Sequence, residues 1–281
     1  MRGMVAVPHH HCRVLGSPWQ GVHGTWIDSA RHYGRHWHAT FGLGVVEQGA
    51  QRSASGQGDV EAFAGDLITT NPGEVHDGRP LGTDSRRWRM VYLEPQVVRS
   101  MVEVPAGLAL TRPVVHDVRL GQALRQLLDR LEHWNAGAAT SADALACDEA
   151  LAHTCGLLLQ GHATAALLEG GSAGIAAARM LTVRDRLGDD PLDVPSLDQL
   201  ATLAELSKFQ LLRQFQKVFG LTPFAWLLQQ RAERARALIR DGAGLASAAA
   251  ACGFADQSHM TRTFARHFGF TPGAWQQAMT R

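Results

Sequence analysis

Five side chains between positions 257 and 266 could do recognition chemistry together: Gln257, Ser258, Thr261, Arg262 and Arg266. They share one face of a helix beginning near Asp256, because residues three and four apart are neighbours on a helical surface. Met260, Phe264 and Phe268 recur every four positions and form the opposite, apolar face. Arg can pair bidentately with guanine and Gln with adenine, so the polar face suits base edges and phosphates of duplex DNA. Asp256 is placed as the N-cap, where its carboxylate accepts backbone N–H groups that the first turn leaves unpaired.

The chain makes this unit twice. Phe219-Gly220-Leu221-Thr222-Pro223-Phe224-Ala225-Trp226 matches Phe268-Gly269-Phe270-Thr271-Pro272-Gly273-Ala274-Trp275 at an offset of 49 residues, which also pairs Ser207 with Asp256, Arg213 with Arg262 and Phe215 with Phe264. A repeat of this size means two copies of one supersecondary unit. Each reads as helix, turn, helix, a Gly stop, then Thr-Pro opening the next helix. Both lysines of the chain, Lys208 and Lys217, fall on the second helix of the first copy. The helix over Pro223–Arg240 separates the copies and spans roughly 27 Å at 1.5 Å per residue. That holds two helices near one turn of DNA, about 34 Å, apart.

The last 85 or so residues resemble the DNA-binding domain of the AraC family of transcription regulators. The residues that carry the likeness are Arg231-Ala-Glu-Arg-Ala, Ala250-Ala-Cys-Gly-Phe254, Gln257-Ser-His and Phe268-Gly-Phe-Thr-Pro272. Met260 stands where the family more often has Leu, Phe or Tyr. The resemblance implies recognition helices over about 207–219 and 256–268, with Phe209, Leu212 and Arg213 at the DNA in the first and Gln257, Ser258, Thr261 and Arg262 in the second. It also implies a homodimer and, for an activator, contact with RNA polymerase.

At 281 residues the chain suggests about two domains. Its 45% hydrophobic and 19% charged content fits a water-soluble globular protein. No apolar run is long enough to span a bilayer, and the N-terminus lacks a signal-peptide core, so the expectation is a cytoplasmic protein with no membrane partner. The net charge of +1 divides unevenly, −3 over residues 1–173 and +4 over 174–281. A positive bias in the second part is what a phosphate-binding surface needs. The four cysteines form no CxxC pair, and Cys147 and Cys155 sit too far apart along one helix to bridge, so reduced thiols are expected.

Ahead of the repeat, residues 24–94 alternate short runs of strand formers with Gly, Asn and Pro turns, which suggests a small barrel or jelly roll. This stretch resembles a cupin, a sensor-domain type often fused to AraC-type DNA-binding domains. His36-x-His38 after Gly34 follows the first cupin motif; Gly65-Asp66, Pro72-Gly73 and His76 follow the second. The cupin metal set also needs a glutamate, and four residues after His38 stands Gly42, the nearest following Glu being Glu47. His36, His38 and His76 could still hold a divalent cation, or could line a ligand pocket as hydrogen-bonding groups. Trp37, Trp88, Arg89 and Tyr92 are candidates for the same pocket, since alternation points half of a strand inward. The expected effector site is therefore His36, His38, Glu47, His76, Trp88, Arg89 and Tyr92, with no cofactor. An Arg and several His suit a small carboxylated or hydroxylated ligand. The rival reading is a metal-dependent cupin enzyme.

The expected fold class is α+β in two domains: a cupin-like barrel with trailing helices, then an all-α domain with two helix-turn-helix units. The boundaries are a flexible tail over 1–22 that includes His9-His10-His11-Cys12, a ligand-binding and dimerisation domain over 23–163, a linker over 164–174 containing Glu169-Gly-Gly-Ser-Ala-Gly174, and the DNA-binding domain over 175–281. Helices are expected over about 95–103, 117–134, 142–160 and 175–187, with Ser196-Leu-Asp-Gln199 as a capping box. The apolar stripes of the two middle helices either make dimer contacts or pack on their own barrel.

Overall fold

Runs of Val, Ile, Thr and aromatic residues broken by glycine build the first part of the chain. The computed structural model describes residues 9–55, 58–82, 85–101, 107–137, 139–165 and 175–280, and the chain divides into two units, 1–166 and 167–280.

In the first unit the strands are β1 (His10–Leu15), β2 (Val22–Ser29), β3 (Tyr33–His36), β4 (Phe41–Gln48), β5 (Ala50–Ser55), β6 (Gly58–Phe63), β7 (Leu67–Thr70), β8 (His76–Pro80) and β9 (Arg86–Leu93). They are followed by α1 (Pro95–Met101), β10 (Leu108–Leu110), β11 (Val114–Val115), α2 (Val118–Ala136), α3 (Ser141–His162) and β12 (Ala163–Ala165). A six-stranded sheet runs in the order β1-β2-β9-β4-β7-β11, a four-stranded one in the order β3-β8-β5-β6, and β10 pairs with β12. Side chains from β3, β5 and β9 meet between the two larger sheets, which gives the cupin-like interior.

The six-stranded sheet is covered on both faces. One face packs Phe41, Leu43, Val45, Val91 and Leu93 against Leu120, Leu124, Leu127, Leu128 and Leu131 of α2 and Leu151, Cys155 and Leu158 of α3. The other face packs Ile27, Val46, Ile68, Trp88 and Met90 toward the four-stranded sheet, with Ala62 of β6. The apolar stripe of α2 is therefore used within its own domain. On α3 the buried positions are Cys147, Ala150, Leu151, Thr154, Cys155 and Leu158, while Leu145 and Ala152 are exposed. Asp117 caps α2 and its Oδ2 lies 2.8 Å from His162 Nε2, tying the end of α3 to the start of α2. All four cysteines are unbridged, in line with the spacing.

The flexible tail expected over 1–22 is corrected from His10 onward. β1 pairs with β2 from His10↔Ser29 to Leu15↔Gly24. Leu15 is buried in the helix-side core, and the Asn135 side chain bonds both Gly16 N–H and Gly16 C=O, at 3.0 and 2.9 Å. One apolar anchor and a satisfied backbone order a segment whose composition reads as loose. Of the linker expected over 164–174, Thr164 and Ala165 belong to β12 and the remainder lies outside the described residues.

The second unit is helical: α4 (Ile175–Asp189), α5 (Leu197–Leu203), α6 (Lys208–Phe219), α7 (Pro223–Arg240), α8 (Leu245–Ala251), α9 (Gln257–Phe268) and α10 (Pro272–Met279). The repeat is visible in its caps. Ser207 and Asp256 cap α6 and α9, Gly220 and Gly269 end them in the left-handed conformation, and Thr222 and Thr271 cap α7 and α10 with Pro at the first turn. The Ser196–Gln199 capping box opens α5. The turns are not identical, since Glu205 (φ 54°) and Gly253 (φ 72°) hold the same left-handed position only 48 residues apart. The second turn therefore carries one extra residue before its N-cap.

Candidate effector site and nucleic-acid interface

Alternation along β9 sorts its side chains. Trp88, Met90 and Tyr92 face the interior and Val91 and Leu93 face the helices. Two imidazoles meet Tyr92, and two more meet the second of these. His23 of β2 stacks on it at 4.9 Å between ring centroids, and His38 sits edge-on at 5.6 Å. His36 and His76, paired across β3 and β8, lie 4.4 Å apart, and His38 is 4.9 Å from His36 and 5.3 Å from His76. The structure thus brings His36, His38, His76, Trp88 and Tyr92 to one interior, as their positions suggested.

His36 and His76 are oriented by their own backbone. Each Nδ1 sits by a carbonyl two residues earlier, Gly34 O at 2.7 Å and Glu74 O at 2.9 Å. If these nitrogens carry the proton, Nε2 is the lone-pair atom on both rings. Burial pushes the His76 imidazole below its usual range, against the opposing pull of Glu74, so it is neutral near pH 7. One ligating atom from each of His36, His38 and His76 falls within 4.8 Å of the others, a trio that could close on a divalent cation.

Glu47 and Arg89 do not join this group, which corrects their assignment to the pocket. Both lie on the helix-facing side. Arg89 Nε donates to Glu47 Oε1 at 2.5 Å and Arg89 Nη1 to Asp129 Oδ1 of α2 at 2.6 Å, with Glu132 Oε1 at 3.6 Å. The carboxylate a cupin metal site needs is therefore not supplied by Glu47. Arg89 instead pins α2 to the sheet.

The arginine that does face the interior is Arg86, two positions before Trp88. It is 2% exposed, its Nε donates to Gln51 Oε1 at 3.0 Å and its Nη1 to Arg31 O at 3.1 Å. Its guanidinium lies 4.7 Å from the Trp88 ring and 5.8 Å from the Tyr33 ring. His10 Nδ1 is 3.0 Å from Ser29 Oγ and 3.3 Å from Tyr33 Oη. Burial pushes the Tyr33 phenol and the Cys12 thiol each up to about 12. Arg86, Tyr33, His10 and His23 were missed from sequence. The available signal was that Arg86, Trp88 and Tyr92 share a parity on one strand.

In the second unit, every polar candidate on the two helices after the turns is at the surface. Lys208, Phe209, Leu212, Arg213 and Lys217 of α6 are exposed, as are Gln257, Ser258, Arg262 and Arg266 of α9, with Thr261 half-buried. Leu211 and Phe215, and Met260 and Phe264, are fully buried beneath them. Phe209 is 73% exposed, on the same helix surface as the exposed Leu212 and Arg213. Among the described residues no acid lies within ion-pair distance of Arg213, Lys217, Arg262 or Arg266, whereas Lys208 Nζ pairs with Asp198 Oδ1 at 2.7 Å. The two helix-turn-helix copies are braced by α7, where the buried Arg236 Nε donates to Glu233 Oε2 at 3.0 Å and its guanidinium lies 5.2 Å from the Trp275 ring. Among the described residues no helix is long and apolar enough to cross a membrane.

Comparison with known proteins agrees with this division. The AraC-like ligand binding domain family matches residues 20–154 and a helix-turn-helix domain family matches residues 200–278. The chain is 25% identical over 229 residues to the uncharacterized HTH-type transcriptional regulator YbfI of Bacillus subtilis, covering 80% of each chain. It is 26% identical over 276 residues to the RCS-specific HTH-type transcriptional activator RclR of Escherichia coli K12, covering 94% of this chain and 90% of that one. Its fold is similar to that of ToxT from Vibrio cholerae O395, with a TM-score of 0.51 at 10% identity over 96% of this chain and 98% of that one. With a ligand-binding domain of the AraC type followed by two helix-turn-helix units on one bracing helix, the chain belongs to the AraC family of transcription regulators.

Proposed function

We propose that this regulator reads DNA through α6 and α9 and senses a small molecule between the two sheets of its first unit. The observation that carries the reading is the pair of matched helices whose polar faces hold Arg213, Arg262 and Arg266 at the surface without acidic partners among the described residues. Each is then available to a guanine edge or a phosphate. Phe209 and Leu212 offer apolar contact, for instance to a thymine methyl, so α6 depends on Arg213 for polar readout. Thr261, Ser258 and Gln257 widen the vocabulary of α9. Lys208 must exchange Asp198 for a phosphate, and Lys217 needs no such exchange.

The effector would lie by Tyr92 and the imidazoles of His36, His38 and His76. A homodimer would place two such DNA-binding units on one operator, and an activator would add contact with RNA polymerase. A second reading, a resident divalent cation on His36, His38 and His76, is favoured by their proximity, and metal analysis of the purified chain tests it.

The deciding experiment is DNA binding by anisotropy on the operator upstream of a neighbouring gene. Arg262→Ala is expected to cost about 1–3 kcal/mol of specific affinity and relax preference at one base pair. Lys217→Ala is expected to weaken all sequences alike and flatten the salt slope. Unchanged operator preference in the Arg262→Ala variant would remove α9 from the readout.

A further inference from the structure

We propose that Arg86 is the anchor for a carboxylate-bearing effector, held between the two sheets beside Trp88 and Tyr33. The proposal rests on the effector reading above and gives it a ligand class.

Arg86 is a cation placed where a cation is hard to keep. It is 2% exposed, on the interior face of β9, and among the described residues no carboxylate pairs with it. Its acceptors are both neutral, the Gln51 amide and the Arg31 carbonyl. Burying an ion without a counter-ion is strongly unfavourable, and aromatic rings offset only part of it. The other two buried arginines among the described residues obey that rule. Arg89, on the other face of the same strand, has three carboxylates within 3.6 Å, and the buried Arg236 has Glu233. Arg86 departs from it.

The geometry also says where a counter-charge would come from. Nε and Nη1 are taken, and Nη2 donates to no described residue. Nη2 lies over Gly78 of β8, 3.4 Å from where a Cβ would stand, so the residue facing it there brings no side chain of its own. Tyr33 Oη, His10 and Ser29 form a polar chain on the adjoining strands. A carboxylate reaching Nη2 would gain a charge-assisted bond, with a hydroxyl-bearing wall beside it. Beyond the guanidinium its neighbours on the same face of β9 are apolar and aromatic, Trp88, Met90 and Tyr92, which suits the body of an organic monocarboxylate rather than a polyanion.

The test uses the full chain, with phenylacetate and hexanoate as probes against phenylacetamide and hexanamide. Two variants accompany the wild type. Arg86→Gln keeps donors and removes the charge; Gln51→Glu installs a carboxylate beside Nε. Calorimetric titration of the wild type is expected to show at least about tenfold tighter binding of one acid than of its amide. Arg86→Gln is expected to lose that preference. Gln51→Glu is expected to lose it too and, without ligand, to melt above the wild type, because the cation is then compensated internally. Asp84 is the nearest acid in sequence and lies outside the described residues, so Asp84→Asn is included and is expected to keep the preference.

Acid and amide binding alike, no acid binding at all, a preference surviving in Arg86→Gln, or no rise in melting temperature for Gln51→Glu would each overturn the proposal. Titrations repeated with operator DNA separate it from the reading beneath it. Acid and amide that bind equally and both shift DNA affinity leave an effector site but not an anionic one. An acid that binds through Arg86 while DNA affinity stays constant leaves the anion site but removes its regulatory role.

Discussion

Replacing Arg89 with Met separates a stapling arginine from a ligand-binding one. Its side chain is 10% exposed and bonds Glu47, itself 22% exposed, while Asp129 on α2 is 67% exposed. After the substitution Asp129 returns to water at little cost. Glu47 does not, and keeps only Arg87 Nε at 3.5 Å. Breaking a fully buried pair costs about 3–5 kcal/mol and an exposed one about 0–1, so this partly buried case falls at about 2–3 kcal/mol. For a domain of this size, each kcal/mol lowers the melting temperature by about 2–4 °C, giving roughly 5–10 °C. Differential scanning calorimetry of the full chain measures it. A double variant with Glu47→Gln is expected to lose less than the sum of the two single losses, because the stranded carboxylate is gone. The effector response should persist in Arg89→Met at temperatures where the domain is folded. A melting temperature unchanged within about 1 °C, together with loss of that response, would return Arg89 to the pocket and refute the reasoning.

Three further outcomes are expected. Gly253→Ala should unfold or loosen the second helix-turn-helix and abolish operator binding, since at φ 72° the new Cβ would sit 2.4 Å from Pro191 O; circular dichroism with anisotropy checks it, and a variant binding like the wild type would show that the turn can shift. A His38→Ala/His76→Ala double variant should bind operator DNA but lose its response to effector in a reporter assay, and an intact response would move the site elsewhere. If coupling runs through a dimer, the isolated fragment from about residue 173 should bind one site more weakly than the full chain, and ten Gly/Ser residues inserted within 166–174 should leave single-site binding intact. Loss of induction by that insertion while dimers persist, measured by sedimentation, would favour direct transmission instead.

The DNA-binding half was legible in the sequence because its signals are local. N-caps at Ser207 and Asp256, glycine stops at Gly220 and Gly269 and Thr-Pro starts at Thr222 and Thr271 each act within one turn of helix, and the structure has all of them. An amphipathic helix also declares its own faces, so the exposed residues of α6 and α9 followed from period alone. The one-residue difference between the two turns did not follow, because it lies between caps and breaks no pattern.

The first unit gave up its strands and its histidines but not its faces. β4 is buried on both sides over Phe41–Val46, since one face meets the other sheet and the other meets α2 and α3. A strand covered twice has no polar side to mark the outside, and alternation then fixes parity without fixing direction. Whether Arg86 or Arg89 points inward depends on which face α2 covers, a contact made across dozens of residues. The same holds for β1, ordered by Leu15 and by Asn135 on α2 although its own residues look like a loose tail. Sequence determined the helices of the second unit, the repeat and the grouping of His36, His38 and His76. Tertiary structure alone decided which arginine is neutralised by carboxylates and which is buried without one, because that choice is made by packing between elements and not within them.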